Sequence, residues 1–298
     1  MFGLPGEFEY LQCTGCEAMH IKTVPANLSD YYPSDYYSFD GYGGLTYGSG
    51  FKDKLLKIRD RYEWTGLGQF GKLLSDLKAN PQVKYLWPLS LQQDYRILDV
   101  GCGSGQLLRI LRSIGFSKLE GVDPFIAEQI EEPNLVIHKS DLFAMHDRFD
   151  VVMLHHSLEH MESQIKVLEH CRNLLTKDGQ LMVRIPTISC EVWNTYGVDW
   201  FQLDAPRHLV IHSRSSIQLA AKKAGLHVIA LIDDGVPDQF TFSELYKRGL
   251  PLVARDEDMR MRIDQEIAKM PREEYVARSK DLNANGLADQ ISVIMRAI

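Results

Sequence analysis

Residues 99–105 read Asp-Val-Gly-Cys-Gly-Ser-Gly and directly follow the apolar run RIL at 96–98. Glycines at 101, 103 and 105 let a backbone turn tightly and approach a ligand closely at the start of a helix. A dinucleotide-binding turn spaces its glycines G-x-G-x-x-G, with the pyrophosphate on the helix dipole. This turn is G-x-G-x-G with Gln106 where the third glycine would stand, a poor fit to a nicotinamide dehydrogenase. Asp123 closes a second apolar run, LEGVD, 22 residues after Gly101. A carboxylate there is placed to accept hydrogen bonds from two ribose hydroxyls. Phe125 offers a ring to an adenine face. Asp141, beside Leu142, offers an acceptor for an adenine amino proton, or caps a helix. Asp99 either holds the turn amides or faces the ligand. Cys102, between glycines, reads as a small packing residue rather than a nucleophile.

Two further groups carry polar chemistry. The first is His155, His156, Glu159 and His160, in VMLHHSLEHM at 152–161. Glu159 and His160 read first as a helix-start cap and packing pair. The second is DAPRHLVIHS at 204–213, with Asp204, Arg207 and His208, preceded by Trp193, Tyr196 and Trp200. Histidine titrates near working pH, which makes His208 the first candidate for a general base. Arg207 suits an anionic part of a substrate; the plainer reading is that both side chains pin their loop. Cys13 and Cys16, with His20, offer three zinc ligands where a structural site takes four, so the plainest reading is a reduced pair.

These residues need elements that bring them together. Short apolar runs at 96–101, 119–123, 135–139, 149–156, 180–186, 226–232 and 290–296 read as seven strands. Between them, helical spacing places Leu107, Ile110, Leu111 and Ile114 on one face, then Ile165, Leu168, Cys171 and Leu175, then Ile217, Ala220, Ala221 and Ala224. Gly115, Gly179 and Gly225 follow these stretches, and Ser213 is an N-cap for 214–224. Strands alternating with helices imply right-handed crossovers and a mostly parallel sheet with both faces covered. Ligands then bind at the carboxyl edge, where Gly101, Asp123, Asp141 and His155 would all stand. The 186–213 connection is irregular and long, a length that usually serves function.

Outside that core, residues 1–50 read as extended and turn-rich, crowded with Tyr31, Tyr32, Tyr36, Tyr37, Tyr42 and Tyr47. Those tyrosines suit either an acceptor groove or the packing of a lid. Residues 51–80 read as helical, with Phe70, Leu73, Leu74 and Leu77 in phase and Pro81 closing the stretch. Met259, Ile263, Ile267 and Met270 make an apolar stripe through charge-rich 255–280, a surface helix. The expected domains are an N-terminal cap at 1–94 and a ligand-binding domain at 95–298, with a helical insertion at about 236–287.

The runs ILDVGCGSGQLL (97–108), LEGVD (119–123), KSDLF (139–143), FDVVMLHHSLEHM (149–161) and LLTKDGQLMVRIP (174–186) resemble, in order and spacing, the motifs of class I S-adenosylmethionine-dependent methyltransferases. The resemblance covers about 95–235. It implies a Rossmann-like, seven-stranded, mostly parallel sheet with the last strand antiparallel. S-adenosyl-L-methionine would be the cofactor and S-adenosyl-L-homocysteine the product. The methionine part would lie on Gly101, Gly103 and Gly105 near Asp99, bordered by His155 and His156. The ribose would meet Asp123, and the adenine Phe125, Asp141 and Leu142. DAPRHLVIHS further resembles a segment of methyltransferases in sugar and polysaccharide pathways, which implies O-methylation of a sugar hydroxyl with His208 as base and Arg207 on an anionic part of the acceptor; His155, at the end of its strand, is the third catalytic candidate. The alternatives are a quinone or lipid precursor as acceptor, or a non-catalytic binder of the cofactor.

The 298 residues are 45% hydrophobic and 24% charged, which excludes a disordered chain, a fibre or a rod. A net charge of -7 without a dense basic tract makes nucleic acid a poor partner. Neither the Asn/Asp-Pro-Pro-Tyr/Phe run of base-amine methylation nor a Pro-Cys nucleophile follows 149–156. No apolar run reaches the ~20 residues of a membrane span. The N-terminus lacks a signal-peptide pattern, and five cysteines make no disulfide framework. The expectation is a cytoplasmic protein, monomer or homodimer, acting on a small molecule or a glycan.

Overall fold

A computed structural model describes residues 6–32 and 47–298. In chain order the strands are β1 (Tyr10–Gln12), β2 (Met19–Ile21), β3 (Arg96–Val100), β4 (Lys118–Val122), β5 (Ile130–Glu132), β6 (Leu135–His138), β7 (Phe149–His155), β8 (Leu175–Pro186), β9 (Val210–Ile211), β10 (Leu226–Asp233) and β11 (Gln290–Ala297). The α-helices are α1 (Phe51–Thr65), α2 (Gln69–Leu77), α3 (Pro81–Lys84), α4 (Gln106–Ser113), α5 (Gln164–Leu174), α6 (Glu191–Tyr196), α7 (Arg214–Lys223), α8 (Asp238–Lys247), α9 (Glu257–Ala268) and α10 (Arg272–Asn285).

The central sheet has the order β10-β11-β8-β7-β3-β4-β6-β5. Strands β8, β7, β3, β4 and β6 run parallel, and β11 is antiparallel to both β8 and β10. All seven expected strands are present, with the last one antiparallel. The eighth, β5, pairs antiparallel with β6 at the edge; at three residues with two glutamates it gives no apolar run for a sequence pattern to detect. The β3 and β7 side chains are buried on both faces of the sheet, as the continuous apolar runs require. The helix α4 lays Leu108, Ile110 and Leu111 on one face, while α5 and α7 cover the other. A reciprocal capping box between Ser213 and Ser216 starts α7.

Four segments differ from the sequence reading. Residues 10–21 form a hairpin, and β2 pairs with β9 to make a three-stranded sheet. This ties the cap to the stretch 204–213, a long-range pairing that local composition does not encode. The 186–213 connection contains α6, two 3-10 turns and β9 rather than irregular chain. The 51–80 stretch is two helices broken at Gly66, whose φ of +66° ends α1, and Pro81 begins α3 instead of merely closing α2. The stripe of Met259, Ile263 and Ile267 lies on α9, and Met270 falls between α9 and α10. Tyr36, Tyr37 and Tyr42 lie outside the described residues. Among the described residues, no helix is long and apolar enough to cross a membrane.

Candidate functional site

The glycine turn leaves β3 with φ of +73° at Gly101, +54° at Gly103 and +79° at Gly105. L side chains are strained there. Space forbids them as well: a Cβ on Gly101 would stand 2.6 Å from the Ser157 Cβ, and one on Gly105 2.2 Å from the Ile137 Cδ1. The Asp123 carboxylate locks this turn. Its Oδ2 accepts the Gly103 N–H at 2.9 Å, and its Oδ1 accepts the Phe125 N–H at 2.9 Å. One acid thus ties the turn after β3 to the turn after β4. Burial raises the Asp123 carboxyl above the usual carboxylate range, opposed by those two amide bonds.

Asp99 sits behind the turn, 4% exposed, and its Oδ1 has no hydrogen-bond partner. Burial, reinforced by the charge of Asp123, pushes its carboxyl up to about 8. An unpartnered buried acceptor costs free energy, and a cationic donor beside the turn would relieve it. Asp141 caps the 3-10 turn Leu142–Ala144, taking the Phe143 N–H at 2.8 Å, and Leu142 is buried below it. Phe125 is mostly exposed and stacks on Tyr32, with ring centroids 6.4 Å apart and planes 9° apart. Cys102 is packed against Gly121 beneath the turn, and burial pushes its thiol well up. That agrees with a packing role.

At the end of β7, His155 is held at about 3 by burial and by the neighbouring Arg184 and His156, and its Nε2 has no partner. His156 takes a left-handed backbone with φ +51°. Its Nδ1 lies 3.2 Å from Glu159 Oε1 and its Nε2 3.3 Å from Arg184 Nη1. The arginine can only donate, so Nε2 is the acceptor nitrogen and the Nδ1–H points at Glu159. Glu159 is 1% exposed. Burial alone would raise its carboxyl, but the His156 hydrogen bond and the nearby His156, His208 and His160 hold it at about 2.

Arg207 and His208 are both buried. Arg207 donates to Asp204 through Nη2 alone, which reaches the two carboxylate oxygens at 2.6 and 2.5 Å, and its guanidinium lies 5.7 Å from the Tyr32 ring centre. His208 bonds the Gln202 carbonyl through Nδ1 at 2.7 Å, and burial together with His160 holds it at about 4. The His160 and His208 rings meet edge to face at 4.7 Å. Ligand atoms of Glu159, His160 and His208 lie within 4.8 Å of one another. Cys13, Cys16 and His20 make no such group among the described residues. Cys13 and Cys16 flank the turn after β1, and His20 is exposed on β2. Three sites expected separately therefore converge: the glycine turn, the β7 end and the 204–208 segment.

The sequence reading missed Arg184, Asp234 and Tyr85. Arg184 bonds Asp234 at 2.7 Å and lies over the Tyr85 ring at 3.7 Å. Asp234 in turn accepts from Ser292 and Gln290. A lone arginine inside the apolar run QLMVRIP was the available signal for Arg184. Tyr32, one of the crowded N-terminal tyrosines, meets His160 through its hydroxyl at 3.2 Å across 128 residues.

With this geometry in view, likeness to known proteins is informative. A family model described as "Methyltransferase domain" matches residues 72–231, more than half of the chain. A ubiquinone biosynthesis O-methyltransferase of Cereibacter sphaeroides is 35% identical over 102 residues, 30% of this chain and 40% of that protein. One from Neisseria meningitidis is 30% identical over 152 residues, 46% of this chain and 60% of that protein. The chain thus spans about half the length of the curated relatives it matches. A chain from the complex between the Haloferax volcanii Trm112 methyltransferase activator and a methyltransferase superposes with a TM-score of 0.50 at 16% identity. That match covers 80% of this chain and 97% of the other, and it supports the fold alone.

Proposed function

The chain belongs to the methyltransferase-domain family, enzymes whose methyl donor is S-adenosylmethionine, and from that premise we propose that it O-methylates a hydroxyl of a small organic acceptor. The observation that carries the donor reading is Asp123, 6% exposed and bridging the Gly103 and Phe125 amides at the carboxyl edge of the sheet. The residues present fit that donor. Asp99 Oδ1 and His155 Nε2 are buried polar atoms without partners, and three left-handed glycines form the turn in front of Asp99. Gly101, Gly103, Gly105 and Asp99 would hold the amino-acid part, bordered by His155 and His156. Asp123 would hold the ribose, and Phe125, Asp141 and Leu142 the adenine.

The donor supplies a methyl group already activated by the sulfonium. The protein then has to align the acceptor and receive its proton. We assign the proton to His156 Nε2; its one lone pair takes the Arg184 N–H at 3.3 Å here, so the acceptor hydroxyl has to displace that contact. The imidazole stands at the end of β7, partly open, with its other nitrogen turned to the Glu159 carboxylate. Glu159 is a positioning residue that fixes the tautomer. His208 and Arg207, buried on Gln202 and Asp204, set the floor beneath His160, and His155 borders the donor.

The names of the curated relatives favour a ring hydroxyl of a quinone precursor as acceptor. A sugar hydroxyl is the second reading, supported by the segment DAPRHLVIHS, which meets the site through the Leu209 N–H on the Glu159 carbonyl and the His208 ring against His160. Calorimetry decides the donor: S-adenosylhomocysteine should bind and NAD(H) should not, and the reverse result overturns the proposal. Turnover of a catechol against a sugar, followed by release of S-adenosylhomocysteine, decides the acceptor class.

A further inference from the structure

The helix pair α1–α2 meets the core through Trp64, which packs on Phe116 with ring centroids 5.1 Å apart, but its seam is polar. Neither helix has a fully buried apolar side chain; the buried residues are Arg59, Asp60 and Glu63 on α1 and Gly71 on α2. The seam between the helices is polar and close. A Cβ on Gly71 would stand 2.6 Å from the Tyr62 Cβ and 2.9 Å from the Ile58 carbonyl. Ser75 bonds Glu63 at 2.7 Å, and Asn80 bonds both Asp60 at 3.0 Å and Glu63 at 3.2 Å. Arg59 completes the network on Asp60, Tyr47 and the Lys78 carbonyl.

On α2, three large apolar residues face out instead. At about 100° per residue, Phe70, Leu73 and Leu77 share a stripe roughly 60° wide on α2, turned away from Gly71 and Ser75. Their exposures are 53%, 54% and 77%. Leu67, at 77%, stands at the hairpin tip between Gly66 and Gly68, where a Cβ on Gly68 would meet nothing within 4 Å. The half-exposed Trp87 ring lies 2.2 Å from where a Gly66 Cβ would be, so an indole flanks the tip. Phe51, at the other end of α1, is 78% exposed. An exposed apolar patch of this kind marks an interaction surface.

Charge identifies the partner. Residues 51–87 hold eight basic and four acidic residues in a chain whose net charge is -7. Two of those acids, Asp60 and Glu63, are buried in the seam. Lys52, Lys54, Arg61, Lys72, Lys78 and Lys84 are exposed on these helices and the turns that follow, with Lys72 paired to Asp76 at 2.7 Å. A second copy would bring the same positive charges against these, which disfavours self-docking. Exposed Leu, Phe and Trp on a lysine-rich segment match the composition of an interfacial helix on an anionic lipid surface. A protruding leucine between two glycines suits insertion among headgroups better than a fit into a protein groove. We propose that the α1–α2 hairpin docks this protein, peripherally, on an anionic membrane surface. The proposal stands on this surface alone and is independent of which acceptor is methylated.

Co-sedimentation of the full chain with lipid vesicles tests it. The protein should sediment with phosphatidylcholine vesicles containing phosphatidylglycerol, far less with phosphatidylcholine alone, and less as salt rises. The triple variant Leu67→Ser, Phe70→Ser, Leu73→Ser changes only exposed positions. It should lose about tenfold or more in vesicle affinity while keeping its circular dichroism and its affinity for S-adenosylhomocysteine. Failure of the parent to bind the anionic vesicles overturns the proposal. So does equal binding by the variant, or a dimer in sedimentation velocity that the variant alone dissolves, which would make the occupant a second copy.

Discussion

His156 Nδ1 lies 3.2 Å from Glu159 Oε1, a carboxylate 1% exposed to solvent, so a partly open imidazole at the end of β7 is backed by a buried acid. The pair depends on an unusual backbone: His156 has φ +51°, and its N–H bonds the Arg184 carbonyl at 2.9 Å. Asparagine tolerates that left-handed conformation but cannot take the proton. His156→Asn should therefore lower kcat by about a hundredfold or more, the usual share of general base catalysis, with a far smaller change in affinity for S-adenosylhomocysteine, whose amino-acid part it only borders. Single-turnover assays and calorimetry separate the two effects. If kcat is unaffected, the proton goes elsewhere.

Asp123→Ala removes the acceptor of two backbone N–H groups as well as the expected ribose contact. Lost hydrogen bonds to a charged group cost about 1.5–3 kcal/mol each. The variant should bind S-adenosylhomocysteine roughly ten- to a thousandfold more weakly by calorimetry, with a lowered Tm as the turn loosens. An unchanged affinity would remove Asp123 from the site.

Asp99 gives a prediction about protons. Its carboxyl is pushed up to about 8, so the folded free protein carries the proton at pH 7. A cationic amine placed beside Asp99 favours the ionised form. Binding of S-adenosylhomocysteine at pH 7 should then release close to one proton. The buffer dependence of the calorimetric binding enthalpy measures that number. Asp99→Asn should bring it to near zero; release that persists in the variant would assign the proton to another group.

How much of this was legible beforehand follows from where the information lies. The seven sheet strands, the glycine turn and Asp123 are local: each is an apolar run or a spacing within a few residues, and each stands where the sequence put it. The short strands β1, β2, β5 and β9 are held by partners rather than by their own composition. For example, Met19 pairs with Ile211 across almost the whole domain, and a two- or three-residue strand has no period to read. The same holds for the roles of the histidines. His208 and His156 are alike in sequence, and only the fold shows His208 closed in on Gln202 and His156 partly open with a carboxylate behind it. The α2 stripe was visible as Phe70, Leu73, Leu74 and Leu77, but its direction was not. Helical spacing reports a face and leaves open whether the face looks in or out, and here Gly71 and Ser75 take the inner side.

The buried histidine also makes stability depend on pH in a definite window. His208 is held at about 4, below its ordinary value near 6.5, chiefly because burial disfavours the charged form. The unfolded chain therefore binds a proton at His208 as pH falls below about 6.5, while the folded protein does so only near 4. Stability from this group is complete above about 6.5 and is lost progressively down to about 4. Asp99 and Asp289 act with the opposite sign, because burial raises both, to about 8 and about 7. Their contribution grows as pH falls through the same range, so the total curve does not isolate His208. The comparison with His208→Gln does. The parent's stability relative to the variant should fall, between pH 7 and 4, by an amount on the order of 3 kcal/mol at most, read from urea unfolding at each pH. A pH-independent difference would mean that His208 titrates alike in the folded and unfolded chains.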